Sequence, residues 1–274
     1  YLGALILILP LIAFFINAFS FRWFYPQIIP KELSLQAWVR LKLIPKTGQR
    51  TFDGFIDLWA TNPAVIKALI NSLTIGFLVT VVSIIIALPA ARVLGLLNFR
   101  FKKLIIFIMV SPTILPPIAF VLGLNINFIS LGFSGSFFGV CLVHLVPIMP
   151  YVVLTMTGIF ANYNPDFEHQ ARTLGANKTK TFFLITLPAI APGMVVAALF
   201  AFLVSWSQYL LTFLIGAGKV MTLPLLVFST ASSGNPALTA AISIIFIFPA
   251  ILILFFTSKF VSGESGATSG FGKI

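Results

Sequence analysis

"NSLTIGFLVTVVSIIIALPAARVL", residues Asn71 to Leu94, carries one charged side chain, Arg92, close to its end. About 20 consecutive apolar residues carry an α-helix across a hydrocarbon layer of about 30 Å, so this stretch is long enough to span a membrane. The rest of the chain has the same character. Of 274 residues, 59% are hydrophobic and 8% charged, with 30 phenylalanines, whereas soluble domains carry about 25% charged residues. The net charge of +11 would also suit nucleic acid, but the basic residues are spread over short loops between apolar runs. Anionic lipid headgroups account for them there. Cys141, the single cysteine, lies inside an apolar run, which excludes an intrachain disulfide and leaves no zinc or iron–sulfur ligand set.

Outward from this run, the sequence predicts an all-α, polytopic membrane protein of about six transmembrane helices. The apolar runs cover about Leu2 to Ser20, Ala68 to Leu94, Leu104 to Leu124, Ser136 to Phe160, Ala189 to Ile215 and Ala237 to Thr257. A membrane barrel would instead show segments of about 10 residues with alternating polarity. The first run lacks a basic leader and a small-residue cleavage site, so residues 1–21 read as a retained helix. Trp23 and Tyr25 follow as interfacial anchors. Residues 22–67 form an extracytoplasmic loop, in which Asn62 caps and Pro63 opens a short interfacial helix leading into the second span. Residues 68–258 form the core, interrupted by a polar loop at 161–188, and the Gly/Ser-rich tail 259–274 reads as a disordered cytoplasmic extension.

Six spans put both termini on one side, with the loops Arg92 to Lys103 and Ala161 to Phe182. That side carries nine basic residues against eight on the other, so the positive-inside rule is close to a tie by count. The loop between the second and third spans decides it. Arg92, Arg100, Lys102 and Lys103 stand there within a dozen positions with no acid among them, which places this side in the cytoplasm.

The polar loop has its own local signals in "NYNPDFEHQARTLGANKTK", Asn162 to Lys180. Asn164 is an N-cap, Pro165 occupies the first helical position, and Asp166 and Glu168 stand in the first turn, where the helix dipole favours carboxylates. Gly175 supplies a stop. Phe167, Ala171 and Leu174 fall at i, i+4 and i+7, giving the helix an apolar stripe. A helix of about ten residues is marginal alone in water, so the stripe needs a cover; an amphipathic helix lying on the membrane is an equal reading of the periodicity. A second short helix is expected from Asn177 toward Pro188, with the charged residues as solvated sides.

Ala171, Gly175, Ile185, Leu187 and Pro188 stand at the spacing of E-A-A-x3-G-x9-I-x-L-P. The loop thereby resembles the cytoplasmic signature of permease subunits of bacterial binding-protein-dependent ABC importers. In this register His169 takes the family's glutamate position and Gln170 its first alanine, while Glu168 lies one position early. The stretch from Asn71 looks like the start of the family's core domain. "SWSQYLLTFLIGAGKVMTLPLLVFS", from Ser205, resembles the polyamine, ferric iron, thiamine and phosphonate branch. The resemblance covers about Asn62 to Phe256 and implies a multi-pass protein of the bacterial inner membrane. It implies that Phe167, Glu168, His169, Ala171, Leu174, Gly175 and Pro188 belong to a coupling loop that docks in a groove of an ATP-hydrolysing subunit. It also implies two ATP-binding subunits carrying ATP and Mg, a second permease that is either a copy of this chain or a different, related one, as import systems of this branch often use, and an extracytoplasmic solute-binding protein. The chain has no Gly-x4-Gly-Lys-Ser/Thr motif, so it reads as a transport subunit without a cofactor of its own and not as an enzyme.

Candidate residues for a translocation path come from polar groups within the spans. Prolines at 112, 116, 117, 147, 150, 192 and 249 free backbone groups that protein or a wet cavity must satisfy. His144 lies mid-span, where an ionisable group marks either function or a neutral imidazole bonded to a neighbouring helix. Asn125, Asn127, Ser207, Gln208 and Tyr209 are the other polar candidates. All six acidic residues lie outside the spans, so a cationic solute finds no buried carboxylate in this subunit. The same absence argues against a secondary transporter, which usually carries an intramembrane coupling carboxylate. A membrane-embedded enzyme would need a clustered catalytic constellation, and the sequence offers none.

Overall fold

The computed structural model describes residues 11–20, 23, 30, 32–45 and 63–261. Their regular structure is helical, apart from one antiparallel bridge between Ser20 and Leu33. The helices are α1 (11–18), α2 (Gln36–Arg40), α3 (Ala64–Leu96), α4 (Lys102–Ile114), α5 (Pro117–Ser130), α6 (Phe137–Ala161), α7 (Asp166–Thr173) and α8 (Lys178–Thr181). A five-residue π-helical segment, Phe182–Thr186, joins α8 to α9 (Leu187–Trp206), and α10 (Leu210–Gly216), α11 (Leu223–Ser232) and α12 (Pro236–Val261) follow. Among the described residues four helical stretches are long and apolar enough to cross a membrane, or five if α4 and α5 count as one broken span.

The chain therefore has the expected all-helical membrane architecture, with four departures from the expected boundaries. Asn62 and most of the first predicted span lie outside the described residues, and the described part of the expected interfacial helix, from Ala64 on, belongs to α3 itself. From Ala64 the helix runs unbroken for 33 residues, about 50 Å at 1.5 Å per residue, because nothing between Lys67 and Asn71 stops it. The third predicted span is not one helix. α4 and α5 meet at 99°, since Pro116 and Pro117 lack donors and force Leu115 into extended backbone at ψ 145°. Pro89, Pro112, Pro147, Pro150, Pro192 and Pro249 stay inside helices. The fifth predicted span breaks at Ser207–Tyr209 and resumes as α10. The second short helix of the polar loop does not end at Pro188 either: α8 continues through the π segment into α9 as one apolar helix, Lys178–Trp206.

The chain divides into two compact units, Tyr1–Leu73 with Gly218–Ile251 and Thr74–Ala217 with Leu252–Ile274. Among the described residues of the first, the Trp38 indole donates to the Ala18 carbonyl at 3.0 Å and stacks on Phe19. There, too, the Ser72 hydroxyl accepts the Leu223 N–H at 2.8 Å and the Asn71 amide donates to the Met221 carbonyl at 2.9 Å. In the second unit α6 is the central helix. It opens at Ser136, whose hydroxyl accepts the Gly139 N–H at 2.9 Å, and it packs against α4, α9 and α10. Val121, Val143, Leu211 and Ile215 form a buried knot among α5, α6 and α10. Many large apolar side chains point outward, including Phe77, Ile85, Phe107 and Phe255; hydrocarbon removes the penalty that water would impose on them.

At Gly95 α3 approaches α6 so closely that a Cβ would lie 2.5 Å from Phe160 Cβ and 2.9 Å from the Thr157 carbonyl. Gly95→Ala should therefore lower the melting temperature in detergent, with an overpacking cost of about 1–3 kcal/mol. Gly123→Ala, at a site with nothing within 4 Å, should not. Equal melting temperatures for the two variants would contradict this packing.

Candidate functional site

The polar loop begins with α7. The N-cap is Pro165, one position later than expected, and the Asn164 side-chain oxygen just ahead of it accepts the Asp166 N–H at 2.9 Å. Gly175 ends the helix at φ +89°. The Gly175 N–H bonds to the Arg172 carbonyl and the Ala176 N–H to the Ala171 carbonyl, each at 3.0 Å, a paired closure that needs a left-handed residue at this point. Asn177 then caps α8 by accepting the Lys180 N–H at 2.8 Å. Phe167 is 45% exposed and Leu174 88% exposed, with Ala171 half-buried and His169 exposed. The two ends of the apolar stripe lie open.

Glu168 points the other way. It is buried, 5% exposed, and is not one of the solvated sides expected of this helix. Its Oε2 meets the Arg92 guanidinium at 2.6 Å and lies 3.8 Å from that of Arg172. Its Oε1 accepts the Thr186 hydroxyl at 2.8 Å. Tyr163 is buried beside the group, its ring edge-on to Phe160. Burial by itself would raise the Glu168 carboxyl. The Thr186 hydrogen bond, the Arg92 hydrogen bond and charge, and the Arg172 charge outweigh it and hold the pKa below the usual carboxylate value. Burial pushes the Tyr163 hydroxyl up. Thr186 reaches Glu168 from the π segment, where a wider turn precedes Pro188. An inserted residue relieves the clash between a proline ring and the carbonyl four residues earlier. Pro188 itself is exposed within the continuous helix.

The helix break at Ser207–Tyr209 is held by His144. The imidazole is 1% exposed, with Nδ1 3.0 Å from the Ser205 hydroxyl and Nε2 2.9 Å from the Thr212 hydroxyl. Thr212 already donates to the Gln208 carbonyl at 3.0 Å, so its oxygen accepts from Nε2–H and Nδ1 accepts from Ser205. A neutral ring thus ties together α6, the end of α9 and the start of α10. Here the bonded imidazole, one of the two sequence readings of His144, is the one the geometry provides.

Beside this break is a cavity of about 270 Å³ lined by Thr113, Phe120, Tyr151, Gln208 and apolar side chains of α4, α5, α6, α9 and α10. No charged side chain lines it. Of the polar candidates in the sequence, Gln208 faces this cavity. Ser207 is exposed and donates to the Val204 carbonyl, Tyr209 stacks on Phe213, and Asn127 donates to the Gly123 carbonyl. Asn125 is half-buried with an unpartnered Oδ1. Sequence reasoning missed Tyr151 and Thr113 at the cavity, and Arg92 and Thr186 at Glu168. Arg92 carried only a topological signal, and Thr186 occupies an unspecified position of the signature.

A helix break whose Gln208 carbonyl is satisfied by a side chain, beside a cavity in an otherwise apolar helical protein, is consistent with a membrane transporter. The chain belongs to the binding-protein-dependent transport system inner membrane component family, matched over residues 81–262. It is a multi-pass inner-membrane permease subunit of an ABC importer, a transport component and not an enzyme, and the family implies ATPase subunits and a solute-binding protein. A trehalose transport system permease protein, SugB, of Mycobacterium tuberculosis is 30% identical, covering 84% of this chain and 85% of that protein. A putative 2-aminoethylphosphonate transport system permease protein, PhnV, of Salmonella paratyphi A is 27% identical over 74% of this chain and 77% of its own. The fold matches a chain in the crystal structure of a bacterial ABC transporter involved in the import of the acidic polysaccharide alginate, with TM-score 0.67, 18% identity and coverage of 94% of this chain and 92% of that chain.

Because the folded-state carboxyl of Glu168 is held below its ordinary value near 4.5, its stabilisation is present above that pH. It is lost as the pH falls toward the depressed folded-state value. Melting curves in detergent from about pH 7 to about pH 3 should decline more steeply for the wild type than for Glu168→Gln. Parallel curves would mean that the carboxylate contributes nothing.

Proposed function

We propose that this chain is one half of the translocation path of an ATP-driven importer, paired with a second, related permease and resting on two ATP-binding subunits. In this reading the partners hold ATP and Mg and hydrolyse it, and an extracytoplasmic protein delivers the solute. The observation that carries the reading is the open stripe on α7. An eight-residue helix with Phe167 and its C-cap Leu174 exposed is too short to hold itself in water, and a groove on an ATPase is the cover that the family implies. Arg172, Lys178 and Lys180 are exposed around it and suit an acidic groove rim. Gly175 fixes the turn that sets the angle of α7 against α8.

The solute that best suits the cavity is uncharged and hydroxyl-rich, a sugar or short oligosaccharide. Gln208 and Thr113 supply hydrogen bonds, Tyr151 and Phe120 supply ring faces, and no side chain there neutralises a charge. The trehalose permease among the relatives supports this class. A phosphonate or a polyamine, as the branch resemblance would have it, needs its countercharge from the second permease.

Two experiments test these roles. Phe167→Ser with Leu174→Ser should lose the cognate ATPase on co-purification from detergent, and full retention of the ATPase would rule out α7 as the docking helix. Gln208→Leu should keep the ATPase but cut uptake of a labelled neutral oligosaccharide by about tenfold, the loss of one good polar contact. Uptake at the wild-type rate, or transport of charged solutes alone, would count against the neutral-solute reading.

A further inference from the structure

Glu168 is the one acidic side chain of α7 that is buried, and three side chains hold its carboxylate. Arg92 belongs to the last turns of α3, Thr186 to the π segment that leads into α9, and Arg172 to α7 itself. The carboxylate therefore joins the exposed helix of the polar loop to two membrane-crossing helices at once. Geometry makes this joint stiff. Both carboxylate oxygens are engaged, one by a charge-assisted bond at 2.6 Å and the other by a hydroxyl at 2.8 Å. Phe167 and Leu174 point outward on the same helix, so Glu168 and the stripe serve opposite faces.

We infer that Glu168 is a positioning residue that locks α7 to α3 and α9 through Arg92 and Thr186, so that displacement of α7 by a docked partner moves both membrane helices. This rests on the reading of α7 as the ATPase-docking helix. It differs from a role for Glu168 in the docking surface itself, which the resemblance implies for this stretch. A push on the open stripe reaches the membrane only if α7 does not hinge on its own flanks, and Gly175 and the Asn162–Pro165 turn are such flanks. The ion pair removes that freedom. The π segment places Thr186 at the joint; such segments interrupt a helix mostly where the position of a side chain matters.

A charge exchange separates the two roles. The complete importer, with its cognate ATPase, partner permease and binding protein, is reconstituted in proteoliposomes carrying Glu168→Arg, Arg92→Glu, or both. Each single variant should keep the ATPase in the purified complex while solute-stimulated ATP hydrolysis and uptake fall by about tenfold, within the range of measured coupling changes. The double exchange should recover most of the loss. Glu168→Gln, which keeps the shape of the side chain, should show the same loss of stimulation if the reversed charges impair folding. Loss of the ATPase from the Glu168→Arg complex without recovery in the double variant would overturn the proposal, placing Glu168 at the docking surface. Full uptake in Glu168→Gln and Glu168→Arg would also overturn it. The Phe167→Ser with Leu174→Ser variant tests the docking reading separately, because it leaves the Glu168 contacts in place.

Discussion

In hydrocarbon a peptide group has no water to bond, and an unpaired N–H or carbonyl there costs several kcal/mol. Nearly every feature of this chain follows from that constraint. It makes the long apolar runs helical, and it lets their outward side chains stay apolar without penalty. It also means that a helix can break within the membrane only where something else supplies partners. At Ser207–Tyr209 the Thr212 hydroxyl supplies one, donating to the Gln208 carbonyl, and the His144 imidazole holds that hydroxyl by donating its Nε2–H to the oxygen while Nδ1 accepts from Ser205. The break opens the cavity at Gln208, and a buried neutral histidine holds it in shape.

The same economy of charge explains the polar loop. With few acids in the chain, one buried carboxylate surrounded by Arg92, Arg172 and Thr186 is a structural joint, and the open face of α7 carries Phe167 and Leu174 instead. Fixing the helix from behind leaves its front available. A permease needs this division, because a force applied by a partner has to be carried into the membrane helices rather than absorbed by a flexible loop.

Much of this was legible in the sequence because it depends on runs and on local signals. Apolar length gave the membrane helices, Asn164 and Gly175 gave the two ends of α7 to within a position, and the spacing around Gly175 gave the family. The misplaced boundaries have a common cause. A continuous apolar run does not reveal where a helix bends, so the 99° turn at Pro116 was hidden among prolines that leave their helices unbroken. The break after Trp206 needed His144, which lies about sixty positions earlier in the chain. Glu168 was misjudged for the same reason. Charge and periodicity placed it on the solvated side, and the guanidinium that buries it comes from the end of α3. Gln208 was recognisable as a polar island in an apolar run, but the aromatic wall opposite, Tyr151 and Phe120, is assembled by tertiary packing.

We propose that ATP hydrolysis on a docked partner drives the movement of solute through this protein. Uptake of labelled solute by proteoliposomes containing the assembled importer, with ATP either present or absent on the ATPase side, tests it most directly. Uptake is expected only with ATP and with the ATPase bound, and none driven by a proton or sodium gradient alone. Transport by the permeases without an ATPase, powered by such a gradient, would contradict it.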